Sequence, residues 1–157
     1  MGPAPREVLL FTLEGQRYGL PTEDVWELHR AARLTPLPRA PDVIEGLLNL
    51  HGRLLPVLDL RRRFRHPPRP LSPSDHFIVA QAGPRRIALR VDRAEGLRVL
   101  APGEWDTSPR ELPGVGYVSG VAKLEDGLVL VHDLRGFLSE AEALELDSAL
   151  TASSEQP

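Results

Sequence analysis

Residues 46–61 read GLLNLHGRLLPVLDLR, and this stretch decides the predicted fold class. Two short apolar runs, Gly46–Leu50 and Leu54–Leu58, flank the pair His51-Gly52, and this pattern predicts a β-hairpin. Pro56 has no backbone N–H to donate, so the returning strand is expected at a sheet edge or beside a bulge. The stretch therefore indicates short strands rather than long helices.

Two glycines and two aspartates have predicted structural roles, as turn residues and as helix caps. Gly46 and Gly52 are expected to permit the backbone turns of the hairpin. Asp59 is expected to cap a short helix that begins at Leu60, and Asp133 is expected to cap a similar turn further along the chain.

A second stretch, residues 120–135, reads GVAKLEDGLVLVHDLR and repeats the first at an offset of 74 residues. Its Asp126-Gly127 pair between apolar runs is a strong hairpin signal. The identical residues are Gly46 and Gly120, Leu50 and Leu124, Leu54 and Leu128, Val57 and Val131, Asp59 and Asp133, Leu60 and Leu134, and Arg61 and Arg135. This repeat predicts an internal duplication, with similar hairpin chemistry in unrelated halves as the alternative.

The remaining chain completes a mainly β prediction. Further hairpins are predicted from Val8 to Leu20 and from Phe77 to Val91. Residues 65–75 hold four prolines and predict an extended surface connection that divides the chain into two similar halves. A helix is predicted over Glu140–Leu150, capped by Ser139. Its candidate packing face is made of Ala141, Leu144 and Ala149. The predicted domain spans residues 7–150, with flexible tails at 1–6 and 151–157.

Composition excludes several classes of protein. The chain has 157 residues, no cysteine and a net charge of −3, which argue against disulfide frameworks and give nucleic acid no basic surface to bind. No apolar run approaches the roughly 20 residues of a membrane span. The N-terminus does not resemble a secretory signal, so a cytoplasmic location and no direct membrane insertion are expected.

Catalytic, metal and cofactor motifs are not found in the sequence. The five histidines show no metal-binding helix spacing, so neither a metal nor a cofactor is predicted. Gly114-x-Gly116 is interpreted as a flexible loop before a strand rather than a phosphate-binding loop. The basic run of Arg61, Arg62, Arg63 and Arg65 is interpreted as a solvated helix face or a partner contact. An enzyme hypothesis remains only as a hydrolase that uses Asp59, His51 or His132.

Several segments resemble the signature segments of the CheW family and follow one another in the same order. They are Phe11–Leu20, Val25–Leu28, Gly46–Arg61, Ile87–Asp92 and Tyr117–Leu124. The resemblance covers the chain from about Glu7 to Ala149, and its central Asn-Leu-x-Gly and Pro-x-x-Asp-Leu-Arg pattern is specific. It implies a single domain of two intertwined, five-stranded SH3-like β-barrel subdomains around a shared hydrophobic core, with short helices and a C-terminal helix.

The resemblance also implies a non-catalytic adaptor. The implied partners are the regulatory domain of a CheA-type histidine kinase and the cytoplasmic tip of a chemoreceptor, with ring self-association of CheW-like domains as a further contact. Recruitment to membrane-associated receptor arrays follows from these partners. The alternative is a divergent adaptor that binds receptors without productive kinase coupling, or that serves a pathway other than chemotaxis.

By position, the resemblance assigns receptor binding to Val25, Glu27, His51 and Leu97. Val25 has core packing as an equal alternative. The family usually places arginine at the position of His51, and His29-Arg30 also departs from the usual Arg-Gly. A histidine reaches less far and is mostly uncharged near neutral pH, so receptor binding is predicted to be weakened or retuned.

Overall fold

The computed structural model describes residues 6–106 and 118–155. Within these ranges the chain is mainly β, as predicted, with eleven strands and few helices. The strands are β1 (Arg6–Leu13), β2 (Gln16–Pro21), β3 (Val25–Arg30), β4 (Ile44–Leu50), β5 (Arg53–Asp59), β6 (His76–Ala82), β7 (Arg85–Val91), β8 (Arg93–Leu100), β9 (Trp105–Asp106), β10 (Val118–Leu124) and β11 (Gly127–His132). The α-helices are α1 (Leu60–Arg63) and α2 (Glu140–Glu155).

The strands form two sheets. One has the order β8-β1-β2-β11-β10-β9, and the other has the order β3-β6-β7-β5-β4. The first sheet therefore has six strands instead of the predicted five, because the two residues Trp105 and Asp106 pair with Ala122 and Val121 at its edge. Among the described residues, no helix combines the length and apolar character that crossing a bilayer requires.

All four predicted hairpins are present. In two of them, the backbone conformation of the turn explains why the hairpin forms. His51 and Gly52 have φ values of 52° and 81°, and Glu14 and Gly15 have values of 50° and 76°. Positive φ at both central residues is the geometry of a type I′ turn, whose twist matches that of the flanking strands. The predicted loop at Gly114-x-Gly116 lies outside the described residues.

The strands around the two copies of the repeated stretch pair in similar ways. β5 pairs in parallel with β7, and β11 pairs in parallel with β2. Register shifts occur at matching places, where Gly46 faces Val57 and Gly120 faces Val131. Each sheet contains strands from both sides of the proline-rich segment. That segment therefore divides the sequence but does not separate two structural units, because strands from both halves of the sequence interleave in each sheet.

Of the two settings predicted for Pro56, the structure shows the bulge and not the edge. β5 lies inside its sheet, but β4 has a register shift between Ile44 and Gly46, next to the Leu47–Pro56 pair, and pairing with β7 begins only at Val57. The prediction for Gly46 needs correction. Gly46 lies within β4 and not in the turn. A Cβ at this glycine would stand 2.7 Å from the Thr35 carbonyl oxygen, so close backbone approach, and not turn geometry, requires glycine there.

A shared hydrophobic core joins the two sheets, as predicted. Its main cluster contains buried side chains from the six-stranded sheet, such as Phe11, and from the five-stranded sheet, such as Ile78. Leu146 and Ala149 of α2 are buried in the same cluster, whereas Leu144 is 68% exposed. The predicted packing face is therefore wrong at Leu144 and at Ala141, which is exposed, because these positions lie on the other side of the helix from Leu146.

The described secondary structure extends beyond the predicted limits of the domain, residues 7 and 150. Arg6 already belongs to β1, and α2 continues to Glu155, past the predicted end at Leu150. No glycine or proline interrupts the sequence between Ser139 and Glu155, so nothing in the chain stops the helix earlier. Residues 1–5 and 156–157 lie outside the described part of the chain.

Arg61 and Arg63 of the basic run do not belong to a solvated helix face. The Arg61 side chain is 3% exposed and forms ion pairs with Glu14 and Asp92. Arg63 reaches across to Glu142 of α2, with an Nη1–Oε1 distance of 2.6 Å. These arginines therefore hold α1 to other parts of the fold, which corrects the prediction for two of its four members.

Candidate protein-interaction surface

The strand β3 lies at the edge of the five-stranded sheet, where β6 is its hydrogen-bonded neighbour. A register shift between Val25 and Glu27 places Trp26 in a bulge. Trp26 is 58% exposed and Leu28 is 47% exposed, which is unusual for large apolar side chains. An unpaired strand edge beside exposed apolar side chains is a natural docking surface for another protein.

Glu27, His29 and His51 meet at this surface. Alternate residues of a strand point to the same face, so β3 places Glu27 and His29 side by side. His51 approaches from the turn between β4 and β5, where Asn49 Oδ1 accepts a 3.2 Å hydrogen bond from the Gly52 N–H. His29 Nε2 donates a hydrogen bond to Glu27 Oε1, and His51 Nε2 lies 3.8 Å from the same oxygen.

The charge of Glu27 is stabilised by its neighbours. The hydrogen bond from His29 lowers the pKa of Glu27, and the nearby His51 and Arg86 act in the same direction. Arg86 also stacks over the Trp26 ring, with its guanidinium carbon 3.8 Å from the ring centroid. Glu27 is therefore held as a carboxylate between cationic and aromatic groups near neutral pH.

A groove of about 190 Å³ lies next to these residues. Its lining residues come from β3, from the β4–β5 hairpin, from β6 and from β7, and they are Trp26, Glu27, Leu50, His51, Arg53, Leu55, Val79 and Arg86. The groove thus combines an apolar floor with a carboxylate, two arginines and an imidazole, which is a composition suited to a mixed apolar and polar partner surface.

The structure brings only some of the predicted receptor-binding residues together. Glu27 and His51 are neighbours at the groove. Val25 is partly buried and packs against the main core, so both of its alternative roles stay possible. Leu97 lies in the other sheet, on the edge strand β8, where it is 64% exposed beside Val99 at 57%.

The predicted turn and cap residues also have defined places. Asp59 is the N-cap of α1 and accepts a 3.0 Å hydrogen bond from the Arg61 N–H. Asp133 plays the same part for the 3-10 turn Leu134–Gly136, accepting from Arg135 N–H at 3.0 Å. Gly52 has positive φ in its turn, and Gly46 has the different role described above.

The residues of the hydrolase hypothesis do not converge. Asp59 is buried as a helix cap, while His132 is fully buried and stacks on Phe64 with ring centroids 4.6 Å apart. His51 is exposed in a hairpin turn. A catalytic group of these three residues is therefore not supported.

Sequence reasoning missed Trp26, Leu28, His29 and Arg86. Trp26 and Leu28 alternate with Val25, Glu27 and His29 along one strand, and this alternation was the available signal for an edge strand. Arg86 joins the surface because β6, its partner strand in the predicted hairpin, pairs with β3, and no local sequence pattern reveals that long-range pairing. The expectation of no metal site rested on the spacing of the histidines along the sequence. In the fold, His29 of β3 and His51 of the β4–β5 turn lie close together beside Glu27.

Comparisons with known proteins agree with this fold. Residues 7–142 match the family described as the CheW-like domain. The chemotaxis protein CheW of Treponema pallidum is 23% identical over 146 residues, which cover 89% of this chain and 86% of that protein. Protein FrzA of Myxococcus xanthus is 34% identical over 122 residues, covering 73% and 76% of the two chains. The crystal structure of the scaffolding protein TtCheW from Thermoanaerobacter tengcongensis aligns with a TM-score of 0.80 and 26% identity, covering 88% of this chain and 96% of that one.

Proposed function

Because the chain belongs to the family of CheW-like domains, whose members are adaptors and scaffolds of chemotaxis signalling, we propose that it couples a chemoreceptor to a CheA-type histidine kinase. The proposed partners are the cytoplasmic tip of the receptor and the regulatory domain of the kinase. Its proposed place of action is the cytoplasm, at membrane-associated receptor arrays. Self-association of CheW-like domains in rings is a further proposed contact.

The observation that carries the receptor part of this proposal is the β3 edge. Glu27 is held as a carboxylate next to a groove with exposed apolar side chains, Trp26 and Leu28. This arrangement suits a receptor helix that presents apolar residues together with a cation. Val25 and His51 adjoin the same strand and groove, and Leu97 is proposed as an outlying contact on β8.

A charge-reversal pair tests the receptor surface. The full chain is titrated with a receptor signalling-tip fragment, in the presence of a chelator, and compared with Glu27→Lys and Glu125→Lys. Both variants change the net charge equally, but Glu125 lies at the exposed β10–β11 turn. We expect Glu27→Lys to weaken binding at least about tenfold, as loss of a buried interfacial charge pair does. Equal affinities for the two variants would overturn the assignment of the surface.

The identity of residue 51 gives a second test of the same surface. Arginine offers a fixed charge and a longer planar donor than histidine. We therefore expect His51→Arg to tighten binding of the receptor fragment, because the exposed turn leaves room for the longer side chain. Isothermal titration calorimetry measures the change, and an unchanged affinity would mean that residue 51 lies outside the contact.

A further inference from the structure

We propose that Glu27, His29 and His51 form a binding site for one divalent transition-metal ion with the ligand preferences of Zn²⁺. Glu27 and His51 are also proposed receptor contacts, but metal binding can be measured on the isolated chain, so its failure is distinguishable from failure of receptor binding. One carboxylate oxygen and one imidazole nitrogen from each histidine supply three protein ligands.

The geometry of the three side chains carries the proposal. One potential ligand atom from each residue lies within 4.8 Å of the other two. His51 Nε2 is 3.8 Å from Glu27 Oε1, which is too long for a hydrogen bond. Ligands bound tetrahedrally at about 2.0–2.2 Å from zinc lie roughly 3.4 Å apart, so small side-chain rotations complete this edge of a coordination shell.

The contact between His29 and Glu27 is compatible with metal binding. His29 Nε2 now donates a proton to Glu27 Oε1. A metal ion binds the neutral imidazole and the carboxylate, so it takes the place of the proton on Nε2. In a neutral imidazole that proton moves to the other ring nitrogen, Nδ1, and none is released, whereas an imidazolium keeps its Nδ1 proton and releases the Nε2 proton to solvent.

The backbone around the site is already ordered before any ion binds. Glu27 and His29 lie on a paired strand, and the turn that carries His51 is closed by the Asn49–Gly52 hydrogen bond. Ligands held on regular elements lose little conformational entropy on binding. The side chain of His51 is 77% exposed, so the ion can enter from solvent and water can fill the remaining coordination position.

Ligand chemistry favours zinc over the hard cations. Two imidazoles with a single carboxylate suit Zn²⁺, Ni²⁺ or Cu²⁺, whereas Ca²⁺ and Mg²⁺ require several oxygen ligands. The same set of three protein ligands with one open position occurs where zinc holds water or an exchangeable group.

The test uses the full chain with no affinity tag and measures Zn²⁺ binding by calorimetry in competition with a chelating dye. The variants are His29→Asn and His51→Asn. The matched control is His66→Asn, which removes a histidine that is outside the cluster and hydrogen-bonded to Tyr18. We expect one ion per chain and at least about tenfold weaker binding for each of the first two variants, by analogy with losses at metal sites. The control should bind like the unaltered chain.

Co²⁺ provides a second readout that does not depend on affinity alone. Bound at the proposed site, it should give the intense visible absorption of a low-coordinate ion, and His51→Asn should abolish it. Because His51 is in an exposed turn, this variant should keep the circular dichroism of the unaltered chain. Binding that is unchanged in both cluster variants, or equally reduced in His66→Asn, would show an adventitious ion only and overturn the proposal.

Discussion

At the scale of single residues, the contact between Arg61 and Asp92 is among the most buried charge pairs of the fold. Arg61 Nε lies 2.9 Å from Asp92 Oδ1, and the Glu14 N–H donates to Asp92 Oδ2 at 2.9 Å. Burial raises the pKa of Asp92, but the hydrogen bonds from Arg61 and Glu14 outweigh it and hold the pKa below its ordinary value. The native state therefore favours the charged form of this carboxyl.

Asp92→Asn is expected to lower the free energy of unfolding by about 2 kcal/mol at neutral pH, because it leaves Arg61 with a weaker partner. The pKa of Asp92 is lower in the folded state than in the unfolded state. Its charge therefore stabilises the fold at pH values above the ordinary aspartate pKa of about 3.9, and this stabilisation is lost as the pH falls through the pKa of the folded state. Urea unfolding at several pH values should thus show the difference narrowing below about pH 4.

The control for this prediction is Asp42→Asn, which makes the same chemical change at an exposed side chain. We expect it to have little effect at any pH. A stability loss for Asp92→Asn that stays constant through the acid range would contradict the role given to its charge.

Residue roles were predictable where the chemistry is local. The caps at Asp59 and Asp133 follow from an aspartate directly before a helical turn. The cluster around Glu27 was not predictable, because His29 and His51 are brought together by two separate elements.

At the scale of elements, α2 begins with a reciprocal cap. Ser139 Oγ accepts from the Glu142 N–H at 3.1 Å, and Glu142 Oε1 accepts from the Ser139 N–H at 2.8 Å. This capping box satisfies two backbone donors that the helix itself leaves free. Arg63 binds the same glutamate and ties the start of α2 to α1.

Ser139→Ala should lower the free energy of unfolding by about 1 kcal/mol, the usual cost of losing a helix cap. Ser148→Ala serves as its control, because Ser148 is exposed inside the helix and alanine is the better helix former. Thermal unfolding followed by circular dichroism measures both. Equal melting temperatures for the two variants would contradict a stabilising role for the cap.

Elements were predictable to different degrees for physical reasons. The hairpins follow from turn chemistry that is local in sequence, as at His51-Gly52. The packing face of α2 was placed wrongly because the polar pattern around Leu144 and Leu146 does not single out one stripe. The intertwined arrangement was expected only from the family resemblance, because β5 with β7 and β11 with β2 pair over long sequence separations that no local pattern records.

At the scale of the whole molecule, the interleaved strands and the shared core should make the fold one cooperative unit. Trp26 reports on the five-stranded sheet and Trp105 on the six-stranded sheet, so each sheet has its own fluorescent probe. The variants Trp26→Phe and Trp105→Phe each retain one tryptophan. For each variant, we expect unfolding followed by fluorescence to give the same m-value and midpoint as unfolding followed by circular dichroism. A fluorescence transition that precedes the circular dichroism transition would instead indicate sheets that unfold separately.

The proposed bridging of a receptor and a kinase by this chain can be measured directly. An immobilised receptor-tip fragment is exposed to the kinase regulatory domain with and without the full chain. We predict that the kinase domain is retained only when the chain is present, and that Glu27→Lys abolishes this retention while Glu125→Lys does not. Binding of the chain to the receptor without any retained kinase domain would contradict the claim and indicate an adaptor that is not coupled to the kinase.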